Sequence, residues 1–90
     1  MEKSYVIEVI EKDAPYFSMG YVKEYDGTDV SITREENNAK VFTGKEELFA
    51  AAQVLKDWHK HGKVYVMPWF YEVLSNGKFA TKRTFPQDIT

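Results

Sequence analysis

VYVMPWFYEVL, residues 64–74, carries one charged side chain in eleven and a proline near its centre, within a chain whose mean hydropathy is −0.49. Alternation along an extended strand places Val64, Val66, Phe70 and Leu74 on one face and Tyr65, Met67, Trp69, Tyr71 and Val73 on the other. The smaller, aliphatic set suits a helix laid across a sheet, and the Tyr/Met/Trp set is then left on the opposite face. Pro68 cannot donate to a ladder, so it points to an edge position or to a bulge, which would exchange the faces beyond it.

Downstream, Ser75-Asn76-Gly77-Lys78 holds the Asn-Gly pair favoured by two-residue hairpin turns, and it predicts a partner strand over KFATKRTF, residues 78–85, ended by Pro86. Upstream, residues 33–63 contain two helix-start patterns, Thr33 with Glu36 and Thr43 with Glu46. From Lys45 to His61 the apolar residues Leu48, Ala51, Ala52, Leu55 and Trp58 form one stripe, widened by Phe49 and Val54. Glu46 and Glu47 open this helix, Lys60 and His61 close it, and Gly62 supplies a left-handed cap.

The N-terminal third reads as a meander. SYVIEVI, residues 4–10, is a strand rich in β-branched side chains, and Lys12-Asp13-Ala14-Pro15 breaks it. In residues 16–25 alternation puts Phe17, Met19, Tyr21 and Tyr25 on one face; Asp26-Gly27 then turns the chain into VSIT, residues 30–33. The fold class expected is α+β: an antiparallel sheet of about five strands (β-β-β-α-β-β) with one long helix packed on one face.

Ninety residues, 43% hydrophobic and 16% aromatic, make a single folded domain, residues 1–90, with room for one thin core. No cysteine is present, which excludes disulfides, thiolate nucleophiles and cysteine metal sites. The net charge of −2 divides unevenly, −5 over residues 1–50 and +3 over residues 51–90, which permits an oriented docking surface or head-to-tail association. MEKSYVIEVIEK lacks the apolar run of a secretory signal and no stretch reaches membrane-spanning length, so the expected location is the cytoplasm, with no membrane partner.

An aromatic sheet face without a helix to cover it is the mark of an interaction surface, since Trp, Tyr and Met are enriched at interfaces. The interface expected is Tyr65, Met67, Trp69 and Tyr71 with Phe17, Met19 and Tyr21 beside them, engaging a protein partner or a second copy of the chain as a homodimer. The alternative is a single-stranded nucleic-acid surface on the last hairpin, in which Trp69 and Tyr71 stack bases and Lys78, Lys82 and Arg83 meet phosphates.

No pattern specifies a catalytic centre, a metal site or a cofactor, and neither an enzyme nor a small-molecule receptor is expected. Asp57 and His61 share a helix face as two metal ligands would, but a third is missing. Glu72 is read as a strand-end carboxylate paired with Lys78 or Lys82 rather than as a buried acid. The five glycines match no phosphate-binding loop.

Ala39, Lys40 and Phe42, followed by Glu46 and Glu47 at a helix start, resemble a pattern of short proteins of Gram-positive phages and prophages. There an N-terminal hairpin leads to "Ala-Lys-x-Phe" and a helix opened by "x-Glu-Glu". The resemblance spans residues 5–58 and implies a small mobile-element accessory protein, without known enzymatic activity, that acts by binding a host or phage protein. It supplies no site residues.

Overall fold

In a computed structural model, which describes residues 1–13 and 16–90, the meander forms as the sequence predicts and the helix forms with different ends. Strands β1 (Ser4–Glu11), β2 (Phe17–Tyr25) and β3 (Val30–Thr33) are followed by helix α1 (Lys45–Lys56) and strand β4 (Val66–Val73). The sheet is antiparallel and four-stranded, ordered β3-β2-β1-β4. Ala14 and Pro15, part of the expected break after β1, lie outside the described residues.

One side of β1 presents Tyr5, Ile7 and Val9 to α1. They meet Leu48, Ala51, Ala52 and Leu55 of the helix, Val22 and Val30 of β2 and β3, and Val66 and Phe70 of β4 in one continuous core. Burying a residue such as Phe42 or Phe70, both essentially solvent-free, contributes ~2–3 kcal/mol each. Phe42 is placed by two backbone hydrogen bonds exchanged with Tyr5, at 3.0 and 2.8 Å, which carry the chain from β3 to the head of α1.

The helix differs from its sequence reading at both ends. Its N-cap is Gly44 rather than Thr43, with no side-chain cap bond, so the Thr43/Glu46 box does not form. At the other end α1 stops at Lys56, and a 3-10 turn, Trp58–His61, finishes the rod before Gly62 turns left-handed at φ 78°. Trp58, three residues after Leu55, remains in the core by this tightening. The earlier pattern yields only a 3-10 turn, Glu36–Asn38, where the Thr33 hydroxyl accepts from the Glu35 N–H at 3.1 Å.

The fifth strand does not form. Residues 74–90 follow the free edge of β4 but pair with it only at isolated bridges, Val73 with Phe79 and Phe70 with Thr84. Three steps along β4 are matched there by five along the C-terminal segment, so Thr81, Lys82 and Arg83 bow outward and the ladder is lost. The turn is also one residue longer than expected: Leu74 N–H donates to Lys78 O at 2.8 Å around Ser75-Asn76-Gly77, with Gly77 at φ +82°. Pro68, for its part, interrupts nothing. β1 and β4 pair without a register shift across Val9 and Pro68. Leu74, Glu72 and Phe70 turn their backbone groups toward the C-terminal segment, and Pro68 shares their parity, so its missing N–H faces away from β1.

Candidate functional site

The second face of the sheet, opposite α1, is set by β1 and β4 together. Val6, Glu8 and Ile10 point away from the helix and register with Tyr71, Trp69 and Met67. Val6 and Ile10 are 0% and 3% exposed, so this face is not bare, although only one helix is present to cover the sheet. Its cover is drawn from the C-terminal segment and from Tyr16, whose ring lies edge-on to Trp69 with centroids 6.5 Å apart. Phe79 packs edge-on against Tyr21, with ring centroids 5.3 Å apart, and Arg83 lies over Trp69. Beyond them Ile89 returns to the helix side and is buried in the main core, anchoring the segment at its far end.

The cover is incomplete. Between the 3-10 turn Glu36–Asn38 and the C-terminal hairpin lies an open groove of about 720 Å³, with Glu8, Tyr21 and Tyr71 among the residues lining it and Glu36, Lys78 and Phe79 on its walls. The Tyr21 hydroxyl donates to Glu36 Oε1 at 3.4 Å. Burial, then the carboxylates of Glu8 and Glu36, push the Tyr21 phenol up to about 12; burial and Glu8 raise Tyr71 also. Among the described residues neither Glu8 nor Glu36 has a basic group within ion-pairing distance; the four ion pairs there lie elsewhere.

Of the expected interface, Tyr21, Met67, Trp69 and Tyr71 share this face and are half-buried. The other three are elsewhere. β2 carries an extra residue opposite Val9/Ile10, which turns Met19 toward the helix-side core and leaves Phe17 at the strand end, 51% exposed. A second irregularity between Val22 and Glu24 puts Tyr25 on the helix side as well. Phe17, Met19, Tyr21 and Tyr25 therefore do not share a face. Tyr65 lies just before the first residue of β4, stacked on His59 at 4.5 Å with the Lys12 ammonium over its ring.

The nucleic-acid alternative needs an open ring on Trp69. Arg83 occupies that ring face, its guanidinium 4.3 Å from Trp69 and 4.5 Å from Phe85, and Trp69 Nε1 is buried without an acceptor. Lys78 is at the groove wall and Lys82 on the outward bow, both exposed. Tyr71 is the one base-stacking candidate left facing the groove.

Glu72 pairs with Lys3 at 3.6 Å, not with Lys78 or Lys82. Asp57 accepts from Gln53 and meets Lys60 at 3.2 Å, and these contacts hold its carboxyl below the usual range. Together with His61 and Lys63 it borders a second hollow, of about 420 Å³. No three metal-binding side chains converge among the described residues, and no helix there is long and apolar enough to cross a membrane.

Sequence reading missed Glu8, Glu36 and Phe79. The available signal was in β1, where Val6, Glu8 and Ile10 fall on one face of an inner strand and a carboxylate takes the middle place. Comparison with protein-family models, curated proteins and solved structures found no match to this chain.

Proposed function

We propose that this chain is a small, non-enzymatic interaction module that docks a protein partner, or a second copy of itself, through the sheet face opposite α1. The observation that carries this reading is the half-built cover of that face. Val6 and Ile10 are sealed, yet the cover stops short of closing a groove lined with Tyr21, Tyr71 and Phe79. Rings held in place on a rigid sheet lose little entropy on binding, which is why such side chains dominate interface energetics. An accessory protein of a phage or mobile element, acting on a host or phage protein, is the setting this reading fits.

Affinity capture from host cells tests it, comparing the wild-type chain with Tyr71→Ala and following the thermal transition of both. A partner retained by the wild type and lost by a folded Tyr71→Ala chain supports the reading. Light scattering of the purified chain separates self-association from a foreign partner. Equal capture by both chains, with monomers throughout, contradicts it.

A further inference from the structure

Glu8 occupies a place where its strand otherwise puts hydrophobic residues. It stands between two sealed side chains, Val6 and Ile10, on the second face, half-buried and with no basic group within ion-pairing distance among the described residues; the nearest cation in register is Arg83, held over the cross-strand Trp69. A carboxylate partly withdrawn from water needs either hydrogen-bond donors or a positive charge. Tyr21 and Tyr71 border the same groove, and Glu36, which accepts from the Tyr21 hydroxyl, brings to its wall a second carboxylate without an ion-pair partner among the described residues.

The same face already shows how it holds a cation. Arg83 lies between the rings of Trp69 and Phe85, its guanidinium carbon 4.3 and 4.5 Å from their centroids. The groove repeats the ring walls and adds two carboxylates, Glu8 and Glu36. A guanidinium is planar, stacks on rings and donates paired N–H bonds to a carboxylate, whereas an ammonium does only part of this.

We propose that the groove receives the guanidinium of an arginine side chain presented by a partner protein, with Glu8 accepting its N–H donors on the floor, Glu36 facing it from the wall, and Tyr21, Tyr71 and Phe79 supplying ring surface. The proposal rests on the docking reading above and names the chemistry of the partner. Lys78, on the opposite wall, repels such a guest and sets an upper limit on affinity.

The test is an amide NMR titration of the full chain at low ionic strength with a blocked Gly-Gly-Arg-Gly-Gly peptide, its citrulline counterpart and its lysine counterpart. Saturable shifts confined to the groove are expected with arginine, weaker binding with lysine and none with citrulline. Glu8→Gln lowers the arginine affinity at least ~10-fold, and Lys78→Gln raises it ~2–3-fold, the loss of a charge-assisted pair and of one repulsion respectively. If Glu8→Gln fails to fold, Glu36→Gln and the citrulline peptide on the wild type decide the matter in its place. Equal binding of arginine and citrulline, or arginine shifts spread over the whole surface, overturns the proposal. A chain that captures its partner through the groove yet ignores the arginine peptide overturns the guanidinium assignment and leaves the docking reading standing; a chain that does neither overturns both.

Discussion

Gly20 sits at φ +118° inside β2, and a Cβ there would run into the carbonyl oxygen of Thr33 on β3. Gly20→Ala is therefore expected to cost more than ~2 kcal/mol, combining backbone strain with a clash that no side chain can relieve, and denaturant melts measure it. Tyr21, its neighbour, gives the alkaline counterpart. Because the fold favours the neutral phenol, Tyr21's contribution is intact below pH 10 and is lost as pH rises from 10 through about 12. Tyr21→Phe should flatten that part of the stability profile while leaving the neutral range in place. Asp26 works at the acid end. The N–H groups of Asp29 and Thr28 hold its exposed carboxyl down to about 2, so its contribution is present above pH 3.8 and disappears as pH falls through about 2. Loss of that acid-range change in Asp26→Ala checks it. Among single residues the turn at Asp26-Gly27 is legible in the sequence, because the signal and the structure are both local. Glu8 is not, because its surroundings are set by Tyr21, Trp69 and Tyr71, which pairing brings beside it from strands distant in sequence.

Elements are legible where one period governs them. The stripe from Leu48 to Leu55 and the strand 66–73 need only spacing, but the cap of α1 slips by one residue because Gly44 adopts the extended N-cap geometry without a side chain. Its φ of −116° suits any residue, and a Cβ there meets nothing within 4 Å. Gly44→Asp should thus stabilise the protein by ~0.5–1 kcal/mol, through a cap bond and a less free unfolded chain, with a matching rise in denaturation midpoint. The residue types of β2 suggest one unbroken alternation, yet two irregularities in pairing split its faces. Gly20 in mid-strand is the available hint of the first. The last segment fails as a strand for a different reason, since five of its steps run beside three of β4, a mismatch that its own alternation does not show. Ile89→Ala should cost ~2–4 kcal/mol, as for other large-to-small changes in a sealed core, and should loosen the segment over Trp69.

The molecule as a whole is a sheet with two unequal covers. Residues 45–56 cover one face continuously; residues 74–90 cover the other in part, pinned by Ile89 at one end and by the hairpin at Leu74 and Lys78 at the other. Composition announces a surplus of rings and the single helix announces a shortage of shielding, but the sharing of the second face between a strap and a groove arises from contacts distant in sequence. Docking through that face is open to a direct trial in cells that produce the chain, with a photo-crosslinking phenylalanine analogue at position 79, on the groove wall, or at Gln53, exposed on α1. Cross-links to a protein partner or to a second copy should form from position 79 and not from position 53; cross-links from position 53 alone, or equally from both, would rule out the groove as the docking site.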